Sequence, residues 1–455
     1  MKVQLITPNQ DVGRSFNAAT WWPQGLLSIA SYCHQKDPYL DIEIIDGEIT
    51  PKENLKKKIQ DSNARIIGIS CNSFNYQNGL EIVRLAKSLE KKVYMGGPHA
   101  SAVAEQILKN QPDIDAVIRY DGERAFNDLL HNKPFSEIQN LVYRNGDEIV
   151  SNALVLEHLS QNLEIDFSLI DMAQYQKNHK EQFPFLPEKA ILYFTHIGCD
   201  WRARNKGCIF CASPEPKLVF QSPEKVWQDF KRFKELYEIE IVKDYGDTIT
   251  ADAKWIRSFL KARPTELSDM MLMVYGSARD IDDEMAGLLQ KLNVKYVFVG
   301  FESGDNKILQ NLRKGTTAKQ NWDSARRLID NGIGIFASYI LGSPGETEET
   351  IQRTHDLAAR IAEYGNGKGP NGRNLVELSN ASPFIPIPGS CAYDNLEHKS
   401  DTFDCGEAIK EHISRFCDFT TDSDTSYNKI LETCKNISLL SPQKNYLGWD
   451  KNDKN

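Results

Sequence analysis

Twice along this chain, short runs rich in β-branched residues alternate with longer amphipathic segments, and that alternation restricts the fold more than any single motif. The first series comprises Val3 to Thr7, Ile42 to Ile45, Ile66 to Ser70, Val93 to Met95 and Ala116 to Ile118, with helical patterns at Gln24 to His34 and Gly79 to Glu90. Nearly continuous apolar strands alternating with helices predict a parallel sheet covered on both faces, a doubly wound α/β domain over residues 1–150. Such sheets bind ligands beyond the carboxyl ends of their strands. Here those ends carry Pro8, Asn72 and Ser73, Gly96 and Gly97 with His99, and Gly122 with Glu123. Paired glycines let main chain approach a large ligand closely. Glycine turns after strands also arise from turn geometry alone, so these strings by themselves name no ligand.

Residues 151–189, with the charged and proline-containing stretch Asn178 to Glu188, lack clear periodicity and read as a linker that packs over its neighbours. The second series then begins. Its strand candidates are Ile191 to Phe194, Ile239 to Val242, Leu272 to Tyr275, Tyr296 to Val299, Gly334 to Ile340 and Val376 to Leu378. Helical patterns fall at Pro223 to Tyr237, Ala253 to Lys261, Asp282 to Lys291, Ala318 to Gly332 and Thr347 to Tyr364. This predicts a partial (βα)6 barrel of TIM type over residues 190–389, with its site at the strand C-terminal face. Polar and glycine residues follow each strand in turn: Gly246 and Asp247, Arg279, Glu302 and Ser303, then Gly342, Pro344 and Gly345.

The loop after the first barrel strand reads YFTHIGCDWRARNKGCIFCASP and holds Cys199, Cys208 and Cys211. A [4Fe-4S] cube normally takes four cysteines, so a set of three leaves one iron free to bind a small molecule. Other readings stand beside this one. His196 lies three residues before Cys199 and would complete a Cys3His zinc site, the second reading, and unrelated thiols are the third. A disulfide fits the composition poorly, because nine cysteines over 455 residues are too sparse for a disulfide scaffold.

The start MKVQLITPNQ lacks the shape of a signal peptide, so the chain reads as cytoplasmic with reduced thiols. No apolar run approaches the roughly 20 residues needed to span a bilayer. A net charge of −9 argues against a nucleic-acid-coating surface.

Several strings now converge. Gly96-Gly97-Pro98-His99 and Gly122-Glu123 resemble the turns of the cobalamin-binding domain that precedes many radical SAM enzymes. Cys208-Ile209-Phe210-Cys211 is similar to the superfamily's C-x-aromatic-C, FVGFESG at Phe298 to Gly304 with Lys314-Gly315-Thr316 to its G-x-E-S-G and K-G-T segments, and YILGSPGET at Tyr339 to Thr347 to its G-x-P-G-E-T. The chain thus resembles the cobalamin-domain-bearing branch of the radical SAM superfamily up to about residue 390. It departs from the methionine-synthase-type domain in having no D-x-H-x-x-G, and from the usual C-x3-C-x2-C in placing eight residues between Cys199 and Cys208. Of the two readings of that insert, a solvated bulge is favoured over a reach toward substrate.

The resemblance implies a [4Fe-4S] cluster on Cys199, Cys208 and Cys211, S-adenosylmethionine (SAM) on its open iron, and cobalamin in the first domain. It implies that Phe210 lies along the adenine, that Gly246 and Asp247 fall near the methionyl amine, and that Glu302 and Ser303 meet ribose or the methionyl end. Arg279 is a candidate for the carboxylate, with an ion pair to Asp280 or Asp282 as its competing role. Gly342, Pro344 and Gly345 would shape the adenine pocket, with Glu346 structural, and Pro8, Asn72, Ser73, Gly96, Gly97, His99, Gly122 and Glu123 would face cobalamin. The implied reaction is methylation of an unactivated carbon through a 5′-deoxyadenosyl radical and methylcobalamin; the alternative is a rearrangement, cyclisation, epimerisation or oxidation with the first domain as scaffold. The implied partners are a small-molecule or peptide substrate and an electron donor such as flavodoxin or ferredoxin.

After residue 390 the barrel pattern ends. Asp404 to Phe416 and Ser426 to Leu440 read as helices of a cap over the barrel mouth, spanning 390–455. Cys391, Cys405, Cys417 and Cys434 have no C-x2-C pairing and read as free thiols, and Gln443 to Asn455 as a frayed end.

Overall fold

The computed structural model describes residues 1–10, 20–158, 163–214, 217–397, 399 and 401–441. The frayed end expected after Gln443 lies outside these residues. A first sheet contains β1 (Lys2–Thr7), β2 (Asp41–Asp46), β3 (Ile66–Ser70), β4 (Lys92–Gly96), β5 (Ala116–Ile118), β6 (Leu141–Asn145) and β7 (Glu148–Ser151). Their order is β2-β1-β3-β4-β5-β6-β7, with β1 to β5 parallel and the last two antiparallel. β1 lies between β2 and β3, so the chain reverses its winding direction there, which opens a crevice at the strand ends. The β6–β7 hairpin was not expected. Its signal is the two-residue turn Gly146-Asp147 between alternating strands, with Gly146 at φ +62°.

The helix expected from Gly79 instead spans Tyr76–Ser88. Gly79 lies inside it, where a Cβ would come within 2.5 Å of the Cys71 sulfur. Close approach to β3, and not a helix start, explains this glycine.

The second sheet has the order β15-β14-β13-β12-β11-β8, all parallel: β8 (Ala190–Tyr193), β11 (Ile241–Asp244), β12 (Met271–Gly276), β13 (Val294–Glu302), β14 (Gly334–Leu341) and β15 (Val376–Pro383). A small ribbon, β9 (His196–Ile197) with β10 (Val219–Phe220), sits above β8. The barrel helices and four of the six strands fall within about two residues of where the periodicity places them; β13 runs three residues past its expected end and β15 five, to Pro383.

The stretch read as an aperiodic linker contains the helix Met172–Gln182, which Asp171 caps by accepting from the Gln174 amide at 3.1 Å. Its buried positions are Tyr175, Gln176 and His179, so its inner face lacks the apolar stripe that periodicity detects. The stretch does pack as expected. Phe183 meets Phe336 of β14 and Phe185 meets Tyr296 of β13, with ring centres 5.6 and 5.3 Å apart.

The tail helices are Cys405–Phe416 and Ser423–Ser438. The second runs along β15 and the Glu348–Gly365 helix, burying Ile430, Cys434 and Ile437 in the barrel's core. It therefore extends the outer helical layer where a lid over the mouth was expected. Burial raises the thiols of Cys405, Cys417 and Cys434. Among the described residues, no three His, Cys, Asp or Glu side chains are grouped tightly enough to hold one metal ion.

Candidate cofactor sites

The cysteine loop begins where β8 ends. Thr195 donates its amide and hydroxyl to the Asp244 carboxylate at 2.9 and 2.6 Å, tying the loop to β11. His196 is completely buried; its Nε2 accepts from the Thr248 amide at 2.9 Å and its Nδ1 lies 2.9 Å from the Thr195 hydroxyl. Burial lowers its pKa. Both ring nitrogens are thus committed, and His196 is a pillar under the loop rather than a zinc ligand. Gly246 rests on that pillar, where a Cβ would fall 2.2 Å from the imidazole. Asp247 beside it is exposed at the strand end, and surrounding protein raises its carboxyl against the opposing pull of His196.

The eight-residue insert is solvated at Ala203 to Lys206, as favoured from sequence, but it is a helical turn anchored on its inner side and not a loose bulge. Cys199 starts the helix Asp200–Asn205, which Lys206 and Gly207 end in left-handed conformations. Asp200 is buried and accepts from Arg279 at 2.7 Å and from Arg204. Trp201 donates to the Arg313 carbonyl at 2.7 Å and lays its indole where a Cβ on Gly315 would stand. Arg202 donates to the Cys211 carbonyl at 3.2 Å. Cys208 and Cys211 form a tight turn, with Ile209 bonded through its amide to Leu312.

All three thiols are half-exposed and close enough for their charges to interact. Burial raises Cys208 to about 11, against the pull of the Lys314 ammonium, and also raises Cys199. Three adjoining cysteines, with no tight single-ion set among the described residues, fit a cluster with one open iron.

Lys314 stands over this group. Its ammonium donates to Glu302 Oε1 at 2.7 Å and lies 5.9 Å from the Phe210 ring centre. Burial opposes its charge, yet Glu302, Cys208 and Cys199 hold its pKa above the usual value. Glu302 adopts φ +61°, and Gly300 leaves room for its carboxylate, which would lie 2.2 Å from an added Cβ. The sequence reading passed over Lys314 as a site residue although it quoted the K-G-T string. Ile340 was also missed; with Phe210 it packs on Ile308, Leu312 and Phe384.

Other expected SAM contacts are engaged elsewhere. Arg279 gives Nε and one terminal nitrogen to Asp280 and the same terminal nitrogen to Asp200. It anchors the insert, the competing role expected for it. Ser303 is fully buried and paired with Thr354. Gly342, at φ +81°, abuts Ile430; Gly345, at φ +75°, donates to the Phe416 carbonyl, and the Pro344 carbonyl accepts from Asn311. The tail helices pack on this turn through Ile430 and Phe416.

Glu346 completes the turn, accepting from the Ser343 amide at 2.9 Å, and complete burial raises its carboxyl to about 8. A raised acid keeps its proton in the folded state and loses it on unfolding, so stability falls as pH climbs from about 4.5 to 8. Buried His99, His179 and His412 are held down near 4, 3 and 4, and act only below pH 6.5. Between pH 6.5 and 8 the wild type should lose about 2 kcal/mol relative to Glu346→Gln in urea denaturation, because buried Lys243, held well below its usual value, adds stability with rising pH in both proteins and cancels from the difference; parallel pH profiles of the two proteins would refute this assignment.

In the first domain, a cavity of about 980 Å³ opens between the strand ends and the cysteine loop. Gly96, Gly97, Gly122 and Glu123 line it, together with Tyr120 and with Ser70 and Ser101, which were not among the expected contacts. Leu5, Gly68 and Phe126 form its deep end along the sheet, and Tyr193, Ala212 and Pro214 its barrel side. That volume lies at the upper end for cofactor pockets, which fits a ligand of cobalamin's size. Gly389 stands where the parts meet, with an added Cβ 3.3 Å from Ala102 and 3.5 Å from Ala212.

Pro8, Asn72, Ser73 and His99 lie off this cavity. Asn72 Oδ1 accepts from the amides of Phe74 and Asn75, and the Pro8 carbonyl accepts from Asn75. His99 turns away to Ser73 Oγ at 3.1 Å and to the Asp401 carbonyl at 2.8 Å. Asp401 in turn accepts from Tyr76, Asn110 and Gln111 at 3.0, 2.6 and 2.8 Å, fastening the tail to the first domain. His99 therefore serves the contact between the tail and the first domain, away from the cavity.

Residues 196–358 match the model of the Radical SAM superfamily and residues 18–130 that of the B12 binding domain. The chain is thus a radical SAM protein carrying a cobalamin-binding domain. Over 377 residues it is 25% identical to an uncharacterized methyltransferase of Pyrococcus horikoshii, covering 79% of this chain and 78% of the relative. It is 24% identical to the anaerobic magnesium-protoporphyrin IX monomethyl ester cyclase of Rubrivivax gelatinosus, covering 89% and 71%. The fold matches that of the cobalamin-dependent radical enzyme OxsB with aqua-cobalamin and SAM bound, at TM-score 0.70 and 16% identity over 96% of this chain and 67% of that one. The methyltransferase TsrM of Kitasatospora setae aligns at TM-score 0.62 and 15% identity, covering 86% and 74%. Among the described residues no helix is long and apolar enough to cross a membrane.

Proposed function

We propose that this chain methylates an unactivated carbon of a small-molecule or peptide substrate, with SAM, a [4Fe-4S] cluster and cobalamin as cofactors. The observation that carries the proposal is the continuity of the 980 Å³ cavity, which joins the glycine turns of the first domain to Ala212 and Pro214 beside Cys211. A carbon held between them would be within reach of both cofactors. The methyltransferase of Pyrococcus horikoshii and TsrM point the same way.

Bound together, the cluster and SAM supply a 5′-deoxyadenosyl radical, and cobalamin supplies the methyl group. The chain's own part is to bind, orient and exclude water. Cys199, Cys208 and Cys211 hold the cluster. With Arg279 committed to Asp200 and Asp280, Lys314 is the cation placed to receive the methionyl carboxylate, and Glu302 and Asp247 are the acceptors for amine or ribose hydroxyls. Phe210 and Ile340 form an apolar wall for the adenine. The glycines at 96, 97 and 122 let the corrin lie against main chain. The free thiols and the cluster fit a reducing, cytoplasmic setting.

Anaerobic protein reconstituted with iron and sulfide should bind one equivalent of hydroxocobalamin, seen as a shift in the cobalamin visible spectrum. Substrate turnover should release S-adenosylhomocysteine and 5′-deoxyadenosine in comparable amounts. Deoxyadenosine without S-adenosylhomocysteine would reject methylation and favour a rearrangement, cyclisation, epimerisation or oxidation, as the cyclase from Rubrivivax gelatinosus illustrates.

A further inference from the structure

A cluster that cleaves SAM must first be given one electron from outside the protein, and the ordered insert supplies a surface for that event. Its helix, Asp200–Asn205, presents Ala203, Arg204, Asn205 and Lys206 to solvent, with Arg202 half-exposed. Arg313 adjoins it, since its carbonyl receives the Trp201 indole, and its own side chain is exposed. Asp200, the insert's one carboxylate, is buried against Arg279. Asp247 is exposed near Arg202 and Asp280 pairs with Arg279, yet Arg202, Arg204, Lys206, Arg279 and Arg313 outnumber Asp200, Asp247 and Asp280, so the local charge is positive on a chain whose net charge is −9. It also touches the cluster loop directly: the helix starts at Cys199, and Arg202 donates to the Cys211 carbonyl.

The geometry points to this basic face, Arg202, Arg204, Lys206 and Arg313, as the docking site for an acidic one-electron carrier protein of flavodoxin type. Opposite charge steers such a partner to a face that adjoins Cys199 and Cys211 through a few bonds. The step is a single electron transfer: the carrier's hydroquinone is oxidised to the semiquinone, the cluster is reduced by one electron, and no bond is made or broken within the chain. The inference rests on the cluster reading and deepens it by assigning the surface at which the expected electron donor docks. Arg202 and Arg204 also hold the loop and Asp200, so the test leaves them in place.

The test is anaerobic stopped-flow reduction of the reconstituted holoprotein, read as bleaching of the cluster absorption, with flavodoxin hydroquinone or dithionite as reductant. Lys206→Glu combined with Arg313→Glu should slow reduction by flavodoxin at least about tenfold at low salt and flatten its dependence on ionic strength, with the dithionite rate unchanged. An unchanged flavodoxin rate, or equal slowing with both reductants, would overturn the docking site. If instead the parent binds transfer RNA and the variant loses that binding at an unchanged flavodoxin rate, the face belongs to RNA and the inference fails. Wild-type protein whose chromophore dithionite cannot bleach would count against the cluster itself, a separate failure.

Discussion

Replacing any one of Cys199, Cys208 or Cys211 by alanine is expected to abolish the visible charge-transfer absorption of reconstituted protein, the EPR signal of its reduced form, and all detectable deoxyadenosine formation. In the proposed cluster each sulfur would be one of three ligands, and no spare thiol or histidine stands in the loop to replace it, because His196 spends both nitrogens on Thr195 and Thr248. The side chains are half-exposed and the loop is held by main-chain bonds at Ile209 and Cys211, so far-UV circular dichroism should be unaltered. Exposed Cys391→Ala is the control and should keep the cluster. A single zinc ion bound to colourless wild-type protein, lost from all three variants, would reject the cluster.

The fold was largely legible because its signal is local. Parallel strands buried on both faces must be apolar almost throughout, and loops at their carboxyl ends must be polar; both patterns survive in sequence without knowledge of what packs on what. The failures have a shared cause in long-range partnership. The Met172–Gln182 helix turns Gln176 and His179 inward, which no periodicity in apolar residues can reveal. His99 closes a turn string typical of a cofactor site, yet its partner, Asp401, is 302 residues away. Arg279 reads equally as a carboxylate clamp or an ion-pair residue until the buried Asp200 arrives from the insert, 79 positions upstream. Lys314 was visible as a motif letter, but its closeness to Cys208 depends on two clamps, Ile209 to Leu312 and Trp201 to Arg313, that exist only in the folded chain.

Those clamps make Lys314→Met the most informative single substitution outside the cysteines. Glu302 would keep its carboxylate, 7% exposed and strained at φ +61°, with its cation gone. Removing one partner of such a pair costs far more than the pair itself contributes, on the order of 2–4 kcal/mol for one this sheltered. Melting temperature should therefore drop. The double variant Lys314→Met with Glu302→Gln removes the stranded charge as well, and should recover most of the lost stability. SAM affinity should behave differently, since no substitution at Glu302 restores a cation to the site. In equilibrium dialysis against reconstituted protein, both the single and the double variant should bind SAM roughly 100-fold more weakly, equivalent to about 3 kcal/mol, whereas Lys314→Arg should remain within about tenfold. The two readouts separate a structural ion pair from a ligand-binding one. If SAM affinity recovers together with stability in the double variant, Lys314 acts only through Glu302, and the methionyl carboxylate must be held by another group.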